Sequence, residues 1–94
     1  MDIQHSSGDT KGEFVIEKGG EVQAKITYSK AGDTRMIIDH TEVSDTLEGK
    51  GVGKKLVEHA INYARENELT VIPLCPFAKS IIERDESLQD VLKG

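Results

Sequence analysis

Tryptophan is absent, the aromatic rings are two tyrosines and two phenylalanines, and there is a single cysteine in 94 residues. One cysteine excludes an intramolecular disulfide. No Cys/His spacing matches a zinc site either, with His5, His40 and His59 too scattered along the chain to suggest one. Positive charge is in the minority, 12 Lys+Arg against 17 Asp+Glu, for a formal net charge of -5. That balance argues against nucleic-acid and anionic-membrane partners, which both need a basic face. No apolar run approaches the roughly 20 residues of a membrane span, and Met1-Asp2-Ile3-Gln4 begins no basic-plus-apolar leader, so a cytoplasmic protein is expected.

What is present fits one globular domain. Hydrophobic residues make up 36% and charged residues 31% of the chain, and the length suits a single domain over residues 1–94. Residues 1–12 are polar and contain Gly and Ser, so they are expected to be a flexible N-terminal segment. From Glu13 the pattern becomes extended. Glu13 to Glu17 is a β-type run, Gly19-Gly20 offers a two-residue hairpin turn, and Val22, Ala24, Ile26 and Tyr28 alternate on one face of the return strand. Arg35 to Val43 is β-branched and apolar on both faces of its first half, which predicts a central strand covered on both sides.

After the loop Ser44 to Gly51 the period changes. Leu56, Val57, Ala60, Ile61 and Ala64 form one apolar stripe at helical spacing, closed by Asn67-Glu68. Thr70 to Cys75 is a further strand, parallel to a neighbour because a strand–helix–strand crossover favours that arrangement. Pro73 lacks an N–H, so this strand must lie at an edge or part from its neighbour there, opening a gap beside the sheet. Pro76 suits the first turn of a helix whose buried face is Phe77, Ala78, Ile81 and Ile82. Ser87 and Asp90 stand at capping-box-like spacing in a last amphipathic turn. The expected class is α/β (α+β): an antiparallel meander, a βαβ crossover and C-terminal helices.

The stretch that carries chemistry is Glu48-Gly49-Lys50-Gly51-Val52-Gly53-Lys54-Lys55. Glycine at every second position lets the backbone approach a ligand, and the helix that follows aims unpaired N–H groups at the same spot. Three lysines add local positive charge to an acidic chain, so an anion, phosphate above all, is the natural guest. A Walker A loop is ruled out, because only three residues separate Gly49 from Gly53 and Lys55 stands where a hydroxyl is needed. A dinucleotide fingerprint fails on the glycine spacing and on chain length. The alternative is a flexible loop with a tight helix start.

Gly51-Val52-Gly53 opening a long amphipathic helix resembles the GNAT N-acetyltransferase superfamily. More narrowly, Asp39-His40-Thr41-Glu42-Val43, Gly49 to Val57 and Val71-Ile72-Pro73-Leu74-Cys75-Pro76-Phe77 resemble its very small YjdJ-type branch, over about residues 13 to 92. The resemblance implies a truncated GNAT fold and an acetyl-CoA-dependent N-acetyltransferase. Acetyl-CoA would be bound by Gly49, Lys50, Gly51, Val52, Gly53 and Lys54, with Val43 and Cys75 alongside, and the acceptor would be an unidentified amine. Glu48 departs from the Gln/Arg of the superfamily motif. An ionised carboxylate there cannot donate a hydrogen bond, so the grip should rest on backbone amides and lysines.

Cys75 ends a strand just before a Pro-initiated helix, where the helix dipole can favour a thiolate; the other reading is a small buried hydrophobe. The resemblance places it near the thioester, as an acetyl carrier or as the acid for the departing CoA thiolate. His40 shares an alternation face with Met36, Ile38 and Glu42, so it can point at the same cleft and act as general base, with a hydrogen-bonded structural role as the alternative. A non-catalytic CoA-binding or regulatory module is the competing function. Only Lys18-Gly19-Gly20-Glu21 stands between the first two recognisable strands, where full-length relatives carry helices that help form the acceptor site.

Overall fold

The computed structural model describes residues 2–47 and 49–92. Its sheet has five strands in the spatial order β1 to β5: β1 Gln4–Ser7, β2 Lys11–Lys18, β3 Glu21–Ala31, β4 Arg35–Val43 and β5 Thr70–Pro73. The first four pair antiparallel, and β5 joins β4 in parallel. Helix α1, Val52–Glu66, makes the crossover from β4 to β5, and helix α2, Pro76–Glu83, leads into a 3-10 segment, Glu86–Val91. The architecture is the truncated α+β one that the pattern predicts.

Gly19 and Gly20 both take positive φ, 63° and 82°, which is what a two-residue hairpin needs for its twist to match the strands. Helix α1 buries Val52, Gly53, Leu56, Val57, Ala60, Ile61 and Ala64. This stripe shares one core with Ile26, Tyr28, Met36 and Ile38 of the sheet and with Ala78, Ile82, Leu88 and Val91 of the C-terminal elements. Each large aliphatic side chain taken out of water there contributes about 1.5–3 kcal/mol. Glu68 then turns left-handed at φ 56°, and the Leu69 N–H donates to the Ala64 carbonyl at 2.8 Å, a cap that aims the chain into β5. The helices therefore cover one face of the sheet. The other face presents polar side chains, among them Asp39, His40 and Glu42, all exposed.

Several elements differ from the sequence-based expectation. Residues 1–12 are not a loose arm throughout, because Gln4–Ser7 pairs with β2, His5 opposite Phe14. The His5 ring stacks on Phe14 at 4.2 Å between centroids, and its Nε2 is hydrogen-bonded to the Tyr28 hydroxyl at 2.6 Å. Strand β4 is interior but not covered on both sides: Met36 and Ile38 are buried while Ile37, on the bare face, is only half-buried. Val22 is exposed because the β2–β3 register shifts at Ile16/Glu17 and rotates it off the core face. The last turn is capped by Asp85, which accepts from the Ser87 N–H at 3.0 Å. Asp90 is instead engaged by the Arg65 guanidinium, at 2.6 Å for its closest contact. Phe77 is 45% exposed rather than buried, for a reason that lies in Gly53.

Candidate functional site

Pairing between β4 and β5 runs from Arg35 opposite Thr70 to Ile38 opposite Pro73 and then stops. The Leu74 and Cys75 N–H groups both converge on the Ile38 carbonyl, at 3.1 and 3.2 Å. This closes the ladder as the chain swings into α2, as the missing N–H of Pro73 predicts. Beyond Ile38, β4 continues to Val43 without β5 beside it, paired with β3 alone. The Ser44 N–H donates to Gln23 on β3, so by strand alternation the backbone groups of Thr41 and Val43 point the other way, toward the side that β5 has left. The result is a fork with one bare strand edge.

A bulge decides which side chains enter that fork. Thr27 pairs with His40 but Tyr28 pairs with Ile38, leaving Asp39 as the extra residue of β4. Its carboxylate accepts from the Ser29 hydroxyl at 2.6 Å. The bulge reverses the alternation that places His40 on the face of Met36 and Ile38. Thr41 and Val43 pair with Ile26 and Ala24, both buried, and so stand on the helix side; His40 and Glu42 pair with Thr27 and Lys25 on the bare face. The Cys75 thiol accordingly meets Thr41, Sγ donating to Oγ1 at 3.4 Å. His40 Nε2 lies 3.2 Å from Glu42 Oε1, and the same carboxylate approaches Lys25 at 3.7 Å. The structure does not bring His40 and Cys75 onto one face, and the residue missed from sequence is Thr41. Its segment carries no apolar landmark between Ile38 and Val43 by which the change of face could be read.

Cys75 is 5% exposed, so burial alone would push its thiol up. Hydrogen bonds from the Thr41 side chain and from the backbone of Ala78, Phe77 and Thr41 outweigh burial and leave it below the ordinary thiol value. Two of those donors are the first free amides of α2, the N-terminal position where an anionic sulfur is favoured.

The glycine loop reaches the fork from its other end. Gly51 is the N-cap of α1, left-handed at φ 71°, with no side chain capping the helix and no acidic residue in the first turn. Among the described residues the first amides of α1 therefore have no side-chain cap, and a Cβ at Gly49 or Gly51 would meet nothing within 4 Å. Gly53 has a different task. A Cβ there would overlap the Phe77 ring and touch Val43 at 3.5 Å, so this glycine lets α1, α2 and the end of β4 converge, and it seats Phe77 on the outside of the helix. Lys54 is paired with Asp85 at 3.7 Å, while Lys50 and Lys55 are exposed. Glu48 lies outside the described residues.

Two concavities lie over the bare face. One of about 620 Å³ includes Glu13, Ser29 and Asp39 in its walls. A second, of about 550 Å³, runs over Lys25, His40 and Glu42 and reaches Thr41 and Val43 at the strand edge. The second borders the fork; neither is lined by Cys75. Among the described residues there is no group of three or more His, Cys, Asp and Glu that could hold a metal ion, and no helix is long and apolar enough to cross a membrane.

The family described as GCN5-related N-acetyl-transferase matches residues 13–91. A GCN5-like protein from Staphylococcus aureus is 42% identical in sequence, superimposes with a TM-score of 0.75, and covers 97% of this chain and 88% of its own. The ribosomal-protein-S18-alanine N-acetyltransferase of Escherichia coli shares 17% identity at a TM-score of 0.68, over 83% of this chain and 53% of that one. A Clostridium acetobutylicum protein described as a predicted acetyltransferase and solved with acetyl-CoA shares 14% identity at a TM-score of 0.61, over 80% and 56%. These last two likenesses are of fold, and the chain spans little more than half of either protein. No curated protein sequence matches the chain.

Proposed function

We propose, from the premise that this chain belongs to the GCN5-related N-acetyltransferase family, that it binds acetyl-CoA across the fork and transfers the acetyl group to an amine presented from the bare face of the sheet. The observation that carries this reading is the parting of β4 and β5 at Ile38 and Pro73. It leaves a strand edge with free backbone groups between an uncapped helix N-terminus and a cysteine.

The residues present fit the cofactor. The open space at Gly49 and Gly51 and the free amides of α1 suit a pyrophosphate, with Lys50 and Lys55 as the more available cations and Lys54 partly committed to Asp85. Val52 and Gly53 contribute backbone amides. The edge from the Thr41 carbonyl to Val43 suits the amides of a pantetheine arm, and Cys75, which takes a hydrogen bond from the Thr41 backbone, stands at the closed end of the fork, where the thioester would lie. Acetyl-CoA supplies the activated acetyl thioester. The protein's own groups have two proton tasks, taking one from the amine and giving one to the departing sulfur. His40, oriented by Glu42 on the bare face, serves as the base, and Cys75 serves as the acid or as the carrier of the acetyl group.

Calorimetry with acetyl-CoA tests the binding half: micromolar affinity is expected, weakened about 10-fold or more in Gly51→Val, where a side chain fills the cradle. Absence of binding at millimolar ligand would overturn it. Mass spectrometry of candidate amines and protein amines after incubation tests transfer. A second reading, a CoA-binding module without turnover, is favoured by the two-residue turn between β2 and β3, which leaves the acceptor side without a helical wall. Tight binding with no acetylated product on any amine would select it.

A further inference from the structure

We infer that Thr41 is the positioning residue for the Cys75 sulfur, its hydroxyl being the one group at the fork that can serve the sulfur both with and without its proton. The geometry begins with the bulge at Asp39. Were Asp39 paired in regular register, Thr41 would face away from the helices; because Asp39 is bulged out of the ladder, Thr41 sits half-buried opposite Ile26, with Oγ1 3.4 Å from Sγ.

The groups that hydrogen-bond the sulfur are neutral on each element that meets it. Strand β4 offers the Thr41 hydroxyl and backbone, and α2 offers the backbone of Phe77 and Ala78. Backbone amides only donate, so they can stabilise an ionised sulfur but can do nothing for an S–H. A buried thiol needs an acceptor for its proton, and the hydroxyl supplies one, as the Sγ to Oγ1 contact records. When the proton leaves, the same hydroxyl turns round and donates. A sulfur that alternates between the two states, as an acid or a carrier must, thus keeps a partner throughout without the backbone moving. Its place in transfer rests on the function proposed above, but the hydrogen-bond claim does not.

The experiment is therefore read on the thiol. Because Cys75 is the only cysteine, ultraviolet thiolate absorbance and the pH dependence of alkylation by a small haloacetamide report on it alone. The wild type is compared with Thr41→Ser, which keeps the hydroxyl, and with Thr41→Val and Thr41→Ala, which lose it, each checked for native circular dichroism. Thr41→Ser is expected to titrate with the wild type. The two hydroxyl-free variants should titrate higher, with alkylation at neutral pH slowed about 10-fold, the size expected for losing one hydrogen bond to a charged group. Acetyl-CoA affinity should stay within about two-fold of the wild type in all three, while turnover falls in Val and Ala and is retained in Ser. An unchanged titration in whichever hydroxyl-free variant folds, or a Ser variant that behaves like Val, would overturn the inference. If the wild type binds no acetyl-CoA yet the titrations separate as stated, the functional proposal fails and the role of Thr41 stands.

Discussion

The two faces of β4 carry neighbouring residues to opposite surroundings. On the helix face Thr41 meets a cysteine that is 5% exposed, in a site made of neutral hydrogen bonds and helix amides. On the bare face, one residue to either side, His40, Glu42 and Lys25 form a string of exposed, exchangeable charges. The first site is closed to solvent and held by short-range hydrogen bonds, whereas the second lies open to whatever docks on it. On the function proposed above, cofactor chemistry belongs on the first face and an unidentified amine on the second. Alternation separates the two, and the bulge at Asp39 sets which of them shares the face of Met36 and Ile38.

Inserting one residue between His40 and Thr41 breaks that separation and should have the largest effect. The ladder beyond His40 would slip by one position, turning Thr41 and Val43 outward and driving Glu42 under α1. Forcing a carboxylate inside while Thr41 and Val43 leave the helix side should cost about 4 kcal/mol or more. Thermal unfolding followed by circular dichroism should then show a midpoint lower by roughly 20 °C. A midpoint within a few degrees of the wild type would mean that the faces are assigned wrongly.

A subtler cut removes one group from each face. Cys75→Ala and His40→Gln should each slow acetyl transfer by about 100-fold or more, the usual scale for losing an acid or base. Their thiol readouts should differ. With His40 on the far side of the strand, His40→Gln should leave the Cys75 titration where it was; a shift would place imidazole and thiol in contact.

The glycines sharpen the comparison at the other end of the fork. Gly53→Val forces a side chain into the Phe77 ring and should destabilise by about 1–3 kcal/mol, with part of the loss restored by adding Phe77→Ala. Gly51→Ala meets no atom within 4 Å, so its penalty of about 1 kcal/mol comes from φ 71° alone and Phe77→Ala should not relieve it. Chemical denaturation of the four variants separates packing from backbone strain.

The periodic and the punctuated were readable from the residues. The stripe from Leu56 to Ala64, the Gly-Gly hairpin and the parting at Pro73 each rest on a local rule that tertiary structure has no reason to override. What escaped was register. Gln4 to Ser7 is polar because the inward positions of β1 are only His5 and Ser7, so the strand is held by one stacked ring and carries no apolar alternation. The bulge at Asp39 was hidden for a related reason: Asp39 to Glu42 are all polar or titratable, and period two gives no hint of phase without an apolar marker. Phe77 read as core because its spacing is right, and only the packing of Gly53 beneath it shows why the ring stays outside.

The smallest effect concerns the strand that was hidden. Burial among Phe14, Tyr28 and Tyr63 lowers the His5 value below its ordinary 6.5, and the charge of Lys30 lowers it further. The unfolded chain therefore binds a proton on His5 more readily than the folded one, so stability rises with pH across this window. The contribution of His5 is complete above pH 6.5, is lost as pH falls from there to the lowered native value, and changes no further below it. Asp85 and Asp90 are held below their ordinary 3.8, Asp85 by Ser87 and Asp90 by Arg65. Their contributions are present above 3.8 and fade only at lower pH, which keeps the two windows apart. Because His5 is solvated on one side, the change should be a few tenths of a kcal/mol after screening, about 2 °C in the midpoint between pH 7.5 and pH 5. His5→Gln should flatten the profile in that range. A wild-type profile that is already flat would mean that β1 stays docked whichever charge His5 carries, so that the stacked rings and the ladder to β2 hold it without help from the Tyr28 hydrogen bond.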